Sequence, residues 1–146
     1  MQKRQLPVSG RLLAIDYGRK RVGIAMSDAL RITAQPHTTI QKFRNIPELI
    51  SQIHLICSEF NVVGIILGLP RNMDGSEGEM AQEVIQFAQQ LETKIDIPLI
   101  MLDERLTSVQ AKKTLTQFGI KPSQNKHKVD QMAAALILRG YLDSVS

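Results

Sequence analysis

Apolar positions along the chain change period several times, and each change marks an element. Leu12 to Ile15 is continuously apolar, the pattern of a strand covered on both faces, while Val22, Ile24 and Met26 repeat at the strand spacing of two. The basic, glycine-containing turn between them predicts a hairpin. A third strand is expected over about residues 31–40, where Pro36 marks an edge or a bend. From Ile46 the period lengthens: Ile46, Leu49, Ile50, Ile53, Ile56 and Cys57 share one helical face, with Asn45 as cap and Pro47 in the first turn. Val62–Leu69 reads as a buried strand ended by Pro70, and Met80, Val84, Phe87, Ala88 and Leu91 as a helix. Residues 97–102 read as one more strand. A helix over about 108–118 stopped by Gly119, a mobile basic loop over 119–128 and a last helix with Val129, Met132, Ala133, Leu136, Ile137 and Gly140 on one face complete the order. Met73, Met80, Met101 and Met132 read as core filler. Three leading strands followed by alternating helices and strands predict an α/β fold. Its mixed five-stranded sheet begins with an antiparallel meander and carries helices on both faces.

The chain has 146 residues, 43% of them hydrophobic and 22% charged, enough for one core. A single domain over 1–146 is expected, with 1–10 as a flexible tail. The lone Cys57 excludes a disulfide scaffold and a cysteine-based zinc site. No signal-like segment opens the chain, and no window approaches the ~18 apolar residues of a membrane span, so a cytoplasmic protein without a membrane partner is expected. The net charge of +4 hides an uneven distribution. Residues 1–44 carry nine basic and two acidic side chains, residues 105–128 six basic and none acidic, and residues 71–96 reverse the balance with six acidic and two basic. Gathered on one face, the two basic blocks would bind a phosphate backbone. Aromatic residues make up only 4%, so recognition would lean on phosphates and shape rather than on base stacking.

Inside or beside those blocks, acids stand at element ends: Asp16 after the first strand, Asp103 and Glu104 after the last, Asp130 near the start of the final helix. Ligands of sheets with helical crossovers bind at the carboxyl ends of strands, and clustered carboxylates there can hold Mg²⁺ or Mn²⁺. Taken singly, each acid is equally a turn former, a cap or an ion-pair partner. Side chains alternate along a strand, so Asp103 and Glu104 are expected on opposite faces, with only one of them in any shared site.

The run Ala14-Ile15-Asp16-Tyr17-Gly18-Arg19-Lys20-Arg21-Val22-Gly23-Ile24-Ala25-Met26-Ser27-Asp28 is followed by Gly68-Leu69-Pro70-Arg71-Asn72-Met73-Asp74-Gly75. Asp103-Glu104-Arg105-Leu106-Thr107-Ser108 and Lys128-Val129-Asp130 through Ala133-Ala134 come after it. In this order the four motifs resemble the YqgF family of RNase H-like proteins over about residues 11–142. The resemblance implies an RNase H-like fold similar to that of RuvC and a nuclease acting on precursor 16S rRNA in 5′-end maturation. Carried over position by position, it implies Asp16, Glu104 and Asp130 as the catalytic, metal-binding carboxylates for Mg²⁺ or Mn²⁺, with Asp103 ranked lower. In the wider RNase H pattern the second acid ends the strand after the first helix. Here that place reads Leu67-Gly68-Leu69-Pro70, so its role passes to the end of the next strand.

Arg19, Lys20 and Arg21 at the hairpin tip, Arg71 and Asn72 in the loop before the second helix, Arg105, Lys126 and Lys128 are the candidate nucleic-acid contacts, each weighed against a plain turn or ion-pair role. His127 is a weaker candidate for proton transfer. Four readings follow. They are a metal-dependent nuclease of precursor 16S rRNA, with ribosomal proteins or a 30S precursor as further partners; a dimeric resolvase of branched DNA; a non-catalytic RNA-binding assembly factor; and an actin-like ATPase, for which the chain is too short. A monomer or weak homodimer is expected.

Overall fold

The computed structural model describes residues 5–106 and 126–146. Strand β1 (Arg11–Asp16) lies in the middle of a five-stranded sheet of order β3-β2-β1-β4-β5. On one side it pairs antiparallel with β2 (Val22–Ser27), which pairs antiparallel with β3 (Ala34–Ile40). On the other side it runs parallel to β4 (Val62–Leu69), and β4 runs parallel to β5 (Leu99–Asp103). This is the expected mixed sheet with its leading meander.

Alternation divides the apolar side chains between two layers. Leu13 and Ile15 of β1, Ile24 and Met26 of β2, and Ile65 and Leu67 of β4 turn to the face covered by α1 (Ile46–Glu59) and α2 (Glu79–Lys94). Leu12, Ala14, Ala25 and Ile66 turn to the opposite face, covered by the C-terminal helix α3 (Lys126–Val145). The first layer is built from large groups, Leu49, Ile53, Phe87 and Leu91 among them, whereas α3 rests on the sheet through Ala133, Ala134, Ile137 and Leu138. Small residues at that contact let the helix lie close to the strands. Helix α1 starts where Asn45 accepts a hydrogen bond from the Glu48 amide at 2.9 Å, with Pro47 in the first turn.

Several elements differ from the sequence expectation for local reasons. Strand β3 starts at Ala34 rather than Arg31, because the Asp28 carboxylate accepts from the amides of Ile32 and Thr33, both at 2.8 Å, and turns the chain first. Pro36 does lie on the edge strand, beside a register shift at Ile24/Ala25 in its neighbour. The backbone of α3 begins at Lys126, inside the stretch expected to be loop, since its first residues are polar and invisible to apolar periodicity. The expected helix over 108–118 and the remainder of that loop lie outside the described residues. The buried face of α3, set by Ala134, Ile137 and Leu138, is rotated from the predicted stripe, so Met132 is exposed. Met73, in a loop, and Met101, on the edge strand β5, are exposed too, so neither fills a core. Within the expected N-terminal tail, Leu6 packs against the α3 layer and the Gly10 amide donates to the Ala29 carbonyl at 3.1 Å. No helix among the described residues is long and apolar enough to cross a membrane.

Candidate functional site

The carboxyl ends of β1, β4 and β5 lie at one edge of the sheet, and the strand pleat sorts their acids by face. Asp16 ends β1 on the α3 face, in phase with Leu12 and Ala14, and is 8% exposed. Its partner across the antiparallel ladder is Gly23. A Cβ at Gly23 would collide with the carbonyl group of Asp130, so the first turn of α3 sits directly on β2 at this point. On the other side of β1, Ile15 pairs with Leu67, and the next residue of β4 is Gly68. A Cβ there would lie 2.8 Å from Oε1 of Glu104 and 2.6 Å from Cδ1 of Ile137. Glu104 is the first residue of the single 3-10 turn after β5, is 1% exposed, and lays its carboxyl group across β4 on the α3 face.

Three acids from three elements therefore reach one face. They are not drawn into one cluster: among the described residues, no group of three or more His, Cys, Asp or Glu side chains is placed to hold a metal ion. Asp130 is engaged by Arg21, whose Nε donates to Oδ2 at 2.7 Å, and its side chain keeps 19% exposure. The donor set nevertheless suits a hard divalent cation. It is made of carboxylate oxygens, two of the acids are buried, and glycines on both flanks of Asp16 keep side-chain carbon out of the space between the acids.

Asp103 takes the opposite face, as alternation predicts, and has an ion pair on each side. Arg105 donates to both of its oxygens, from Nε at 3.0–3.1 Å and from Nη2 at 2.7 Å, and its own amide adds a bond at 2.9 Å. Arg71 approaches within 3.6 Å. The Arg105 guanidinium, outweighing partial burial, holds the Asp103 carboxyl below its ordinary range. Arg105 also donates to the Met73 carbonyl at 3.3 Å. Asn72 donates to Ser76 Oγ, whose hydroxyl donates to Asp74. Of the predicted nucleic-acid contacts, Arg71 and Arg105 thus fasten the loop before α2 to the end of β5, while Asn72 closes the loop on itself.

The hairpin tip divides its cations between the two faces. Arg19 reaches α2 and pairs with Glu83 at 2.6 Å, while Tyr17 stacks against Phe87 at 4.8 Å between ring centroids. Burial, and then the Glu83 charge, push the Tyr17 hydroxyl above its ordinary range. Lys20 is exposed at the tip, and Arg21 turns to Asp130. Glycine is required at position 18, where a Cβ would meet the Arg21 carbonyl. Lys128 is exposed on the first turn of α3, whereas the side chains of Lys126 and His127 lie outside the described set. Glu83 went unread in the sequence. Its only signal is that it stands one helical turn before Phe87, which matters once Tyr17 is known to touch that ring.

Comparison with known proteins bears on the whole of this architecture. The family model described as RuvX: Holliday junction resolvase matches residues 10–144. A Clostridium novyi protein named "Putative pre-16S rRNA nuclease" is 42% identical over 135 residues, covering 92% of this chain and 99% of that protein. An Acetivibrio thermocellus protein of the same name is 45% identical over 135 residues, covering 92% and 96%. Among solved structures, T. thermophilus RuvC in complex with Holliday junction substrate is similar with a TM-score of 0.57 and 13% identity, covering 94% of this chain and 97% of that one. The yeast mitochondrial Holliday junction resolvase gives a TM-score of 0.52 at 17% identity, covering 94% and 80%. The fold is therefore the expected RuvC-like, RNase H-like one, and by both the family model and these relatives the chain belongs to the RuvX family.

Proposed function

We propose that this chain is a metal-dependent nuclease that hydrolyses phosphodiesters of precursor 16S rRNA in 5′-end maturation, working in the bacterial cytoplasm as a single domain. The observation that carries the reading is the delivery of Asp16, Glu104 and Asp130, from β1, the turn after β5 and α3, to one face of the sheet edge. The substrate class comes from the names of its relatives. Asp16 and Glu104, held in place by burial, would hold Mg²⁺ or Mn²⁺, and Asp130 would complete the set. When bound, such a cation polarises the phosphodiester, activates water and stabilises the leaving oxygen. Arg21 is paired with Asp130 and would turn to a phosphate only if a cation took up that carboxylate, and Lys20 carries the exposed positive charge at the tip.

A second reading, cleavage of a four-way DNA junction by a dimer, is favoured by the description of the family model. One experiment separates the two: the purified protein and its Asp16→Asn variant are offered precursor 16S rRNA, a four-way junction and unstructured RNA, with Mg²⁺, Mn²⁺ or EDTA. The proposal expects cleavage of the precursor RNA that fails in EDTA and in the variant. Preferential cutting of the junction moves the assignment to DNA. Salt-sensitive RNA binding without cleavage of any substrate makes the protein a non-catalytic assembly factor, and cleavage that persists in EDTA removes the metal mechanism.

A further inference from the structure

Both strands that flank β1 carry a glycine beside Asp16, and each glycine receives an acid from a different element. Glycine in a strand interior weakens the strand, and it often marks a place where another group must approach the backbone closely. At Gly68 the approaching group is the Glu104 carboxyl, 2.8 Å from where a Cβ would stand. At Gly23 it is the backbone of Asp130. Nothing about strand formation requires glycine at position 68: apart from Gly64, β4 is otherwise Val, Ile and Leu, and neither Gly68 nor Gly23 has positive φ. We propose that Gly68 is a positioning residue, a socket in β4 that seats the carboxyl group of Glu104 beside Asp16. Gly23 does the same for Asp130 by setting how closely α3 approaches β2.

This inference rests on the proposed cation-binding role of the three acids and adds how their positions are set. In its terms the carboxylate belongs to the place above β4 rather than to residue 104. An aspartate at position 68 carries its carboxyl one carbon beyond Cβ, in the shell of space that Glu104 Oε1 now fills. Ile137 Cδ1, the other close atom at 2.6 Å, is the terminal methyl of a fully buried side chain and has to shift by rotation about its last torsion.

Strand β4 supplies its own control. Gly64 lies on the same face, and a Cβ there would meet Cδ2 of Leu12 and Cδ2 of Leu6, each at 2.8 Å, with no acid among its three nearest atoms. Alanine is thus crowded at 64, with contacts from 2.8 Å, and at 68, with contacts from 2.6 Å, but only at 68 is a carboxylate among the crowded groups.

The test is Mn²⁺ binding to the full chain, by electron paramagnetic resonance or calorimetry, with thermal melting alongside. Gly68→Ala is expected to weaken Mn²⁺ binding about 10-fold, the scale of losing a group that orients a metal ligand. Gly64→Ala is expected to lower Tm to a similar extent while Mn²⁺ binding stays within about 2-fold of the parent. Glu104→Ala loses binding, and Glu104→Ala combined with Gly68→Asp regains most of it. That double variant relieves the crowding against residue 104, leaving only the Ile137 contact, and serves if Gly68→Ala alone does not fold. Unchanged Mn²⁺ binding in Gly68→Ala, equal weakening in Gly64→Ala, or a double variant no better than Glu104→Ala overturns the socket. Asp16→Asn separates the two levels: if it loses Mn²⁺ while Gly68→Ala does not, the socket fails and the cation site stands. If Asp16→Asn binds Mn²⁺ like the parent, both fall.

Discussion

Asp103 and Glu104 are neighbours in the chain, yet they end on opposite faces of the sheet in opposite surroundings. Asp103 is gripped by the Arg105 fork with Arg71 behind it, and its charge is spent inside the protein, tying the loop before α2 to β5. Glu104 is more deeply buried and lies over the glycine gap in β4, toward Asp16. Adjacent carboxylates of similar chemistry thus divide into a structural one and one suited to a ligand. What divides them is the strand pleat, which turns one to the guanidinium side and the other to the carboxylate side. The cations divide the same way at the hairpin tip, where Arg19 is neutralised by Glu83 on the α2 side and Arg21 meets Asp130 on the α3 side.

The largest effect should separate the two acids by activity. Asp16→Asn and Glu104→Gln are each expected to lower metal-dependent cleavage by about 100-fold or more, since even outer-shell changes around a metal lose 10–100-fold. Asp103→Asn is expected to stay within about 3-fold of the parent under the same conditions. Initial rates on one substrate at fixed Mg²⁺ decide the matter. Equal losses from Asp103→Asn and Glu104→Gln would erase the distinction between the faces.

Stability should show the converse. Asp103→Asn removes charge-assisted hydrogen bonds and is expected to lower stability by about 1–3 kcal/mol at neutral pH. The sign of its pH dependence follows from the direction of the shift: the folded carboxyl titrates below its ordinary value of 3.8 because of Arg105. Its stabilising contribution is therefore complete above that value and is lost as pH falls through it toward the lowered folded pKa. Denaturant unfolding at pH 7 and near pH 3 should show a parent that loses its advantage over Asp103→Asn on acidification. An advantage that grows at low pH would contradict the assigned ion pairs.

Much of this comparison could be read from the chain. Alternation alone separated Asp103 from Glu104, whereas Glu104 as a second metal carboxylate was implied by the family resemblance and not by any local pattern. The mixed sheet with its leading meander followed from the change of period after β3, and the Asn45 cap and the edge position of Pro36 from the local chemistry of those residues; the order of the strands in the sheet did not. The remainder depends on contacts between residues distant in sequence. Arg19 and Glu83 are 64 positions apart, Arg21 and Asp130 are 109 apart, and no local pattern pairs them. A basic tip reads as three equivalent phosphate contacts until the fold assigns two of its members to protein acids. Met132 was misread because a stripe on α3 can be drawn one position off when both candidate faces hold apolar residues. That Glu104 lies above Gly68 was not legible, because a glycine's function is carried by the group that fills its empty space.

The smallest effect probes how the two faces share the nucleic acid. Lys20 is exposed at the tip, whereas Arg19 is held by Glu83, which is kept below its ordinary carboxylate range by that pair. A lysine that contacts a phosphate contributes about one unit to the slope of log affinity against log salt. Lys20→Ala is expected to reduce the slope for RNA by about one, uniformly across sequences. Arg19→Ala should reduce it by clearly less, because its charge is already compensated and its release would leave Glu83 facing the RNA. Binding isotherms at several salt concentrations measure both slopes. If Arg19→Ala lowers the slope as much as Lys20→Ala, the Glu83 pair gives way to phosphate and the α2 side of the tip belongs to the binding surface.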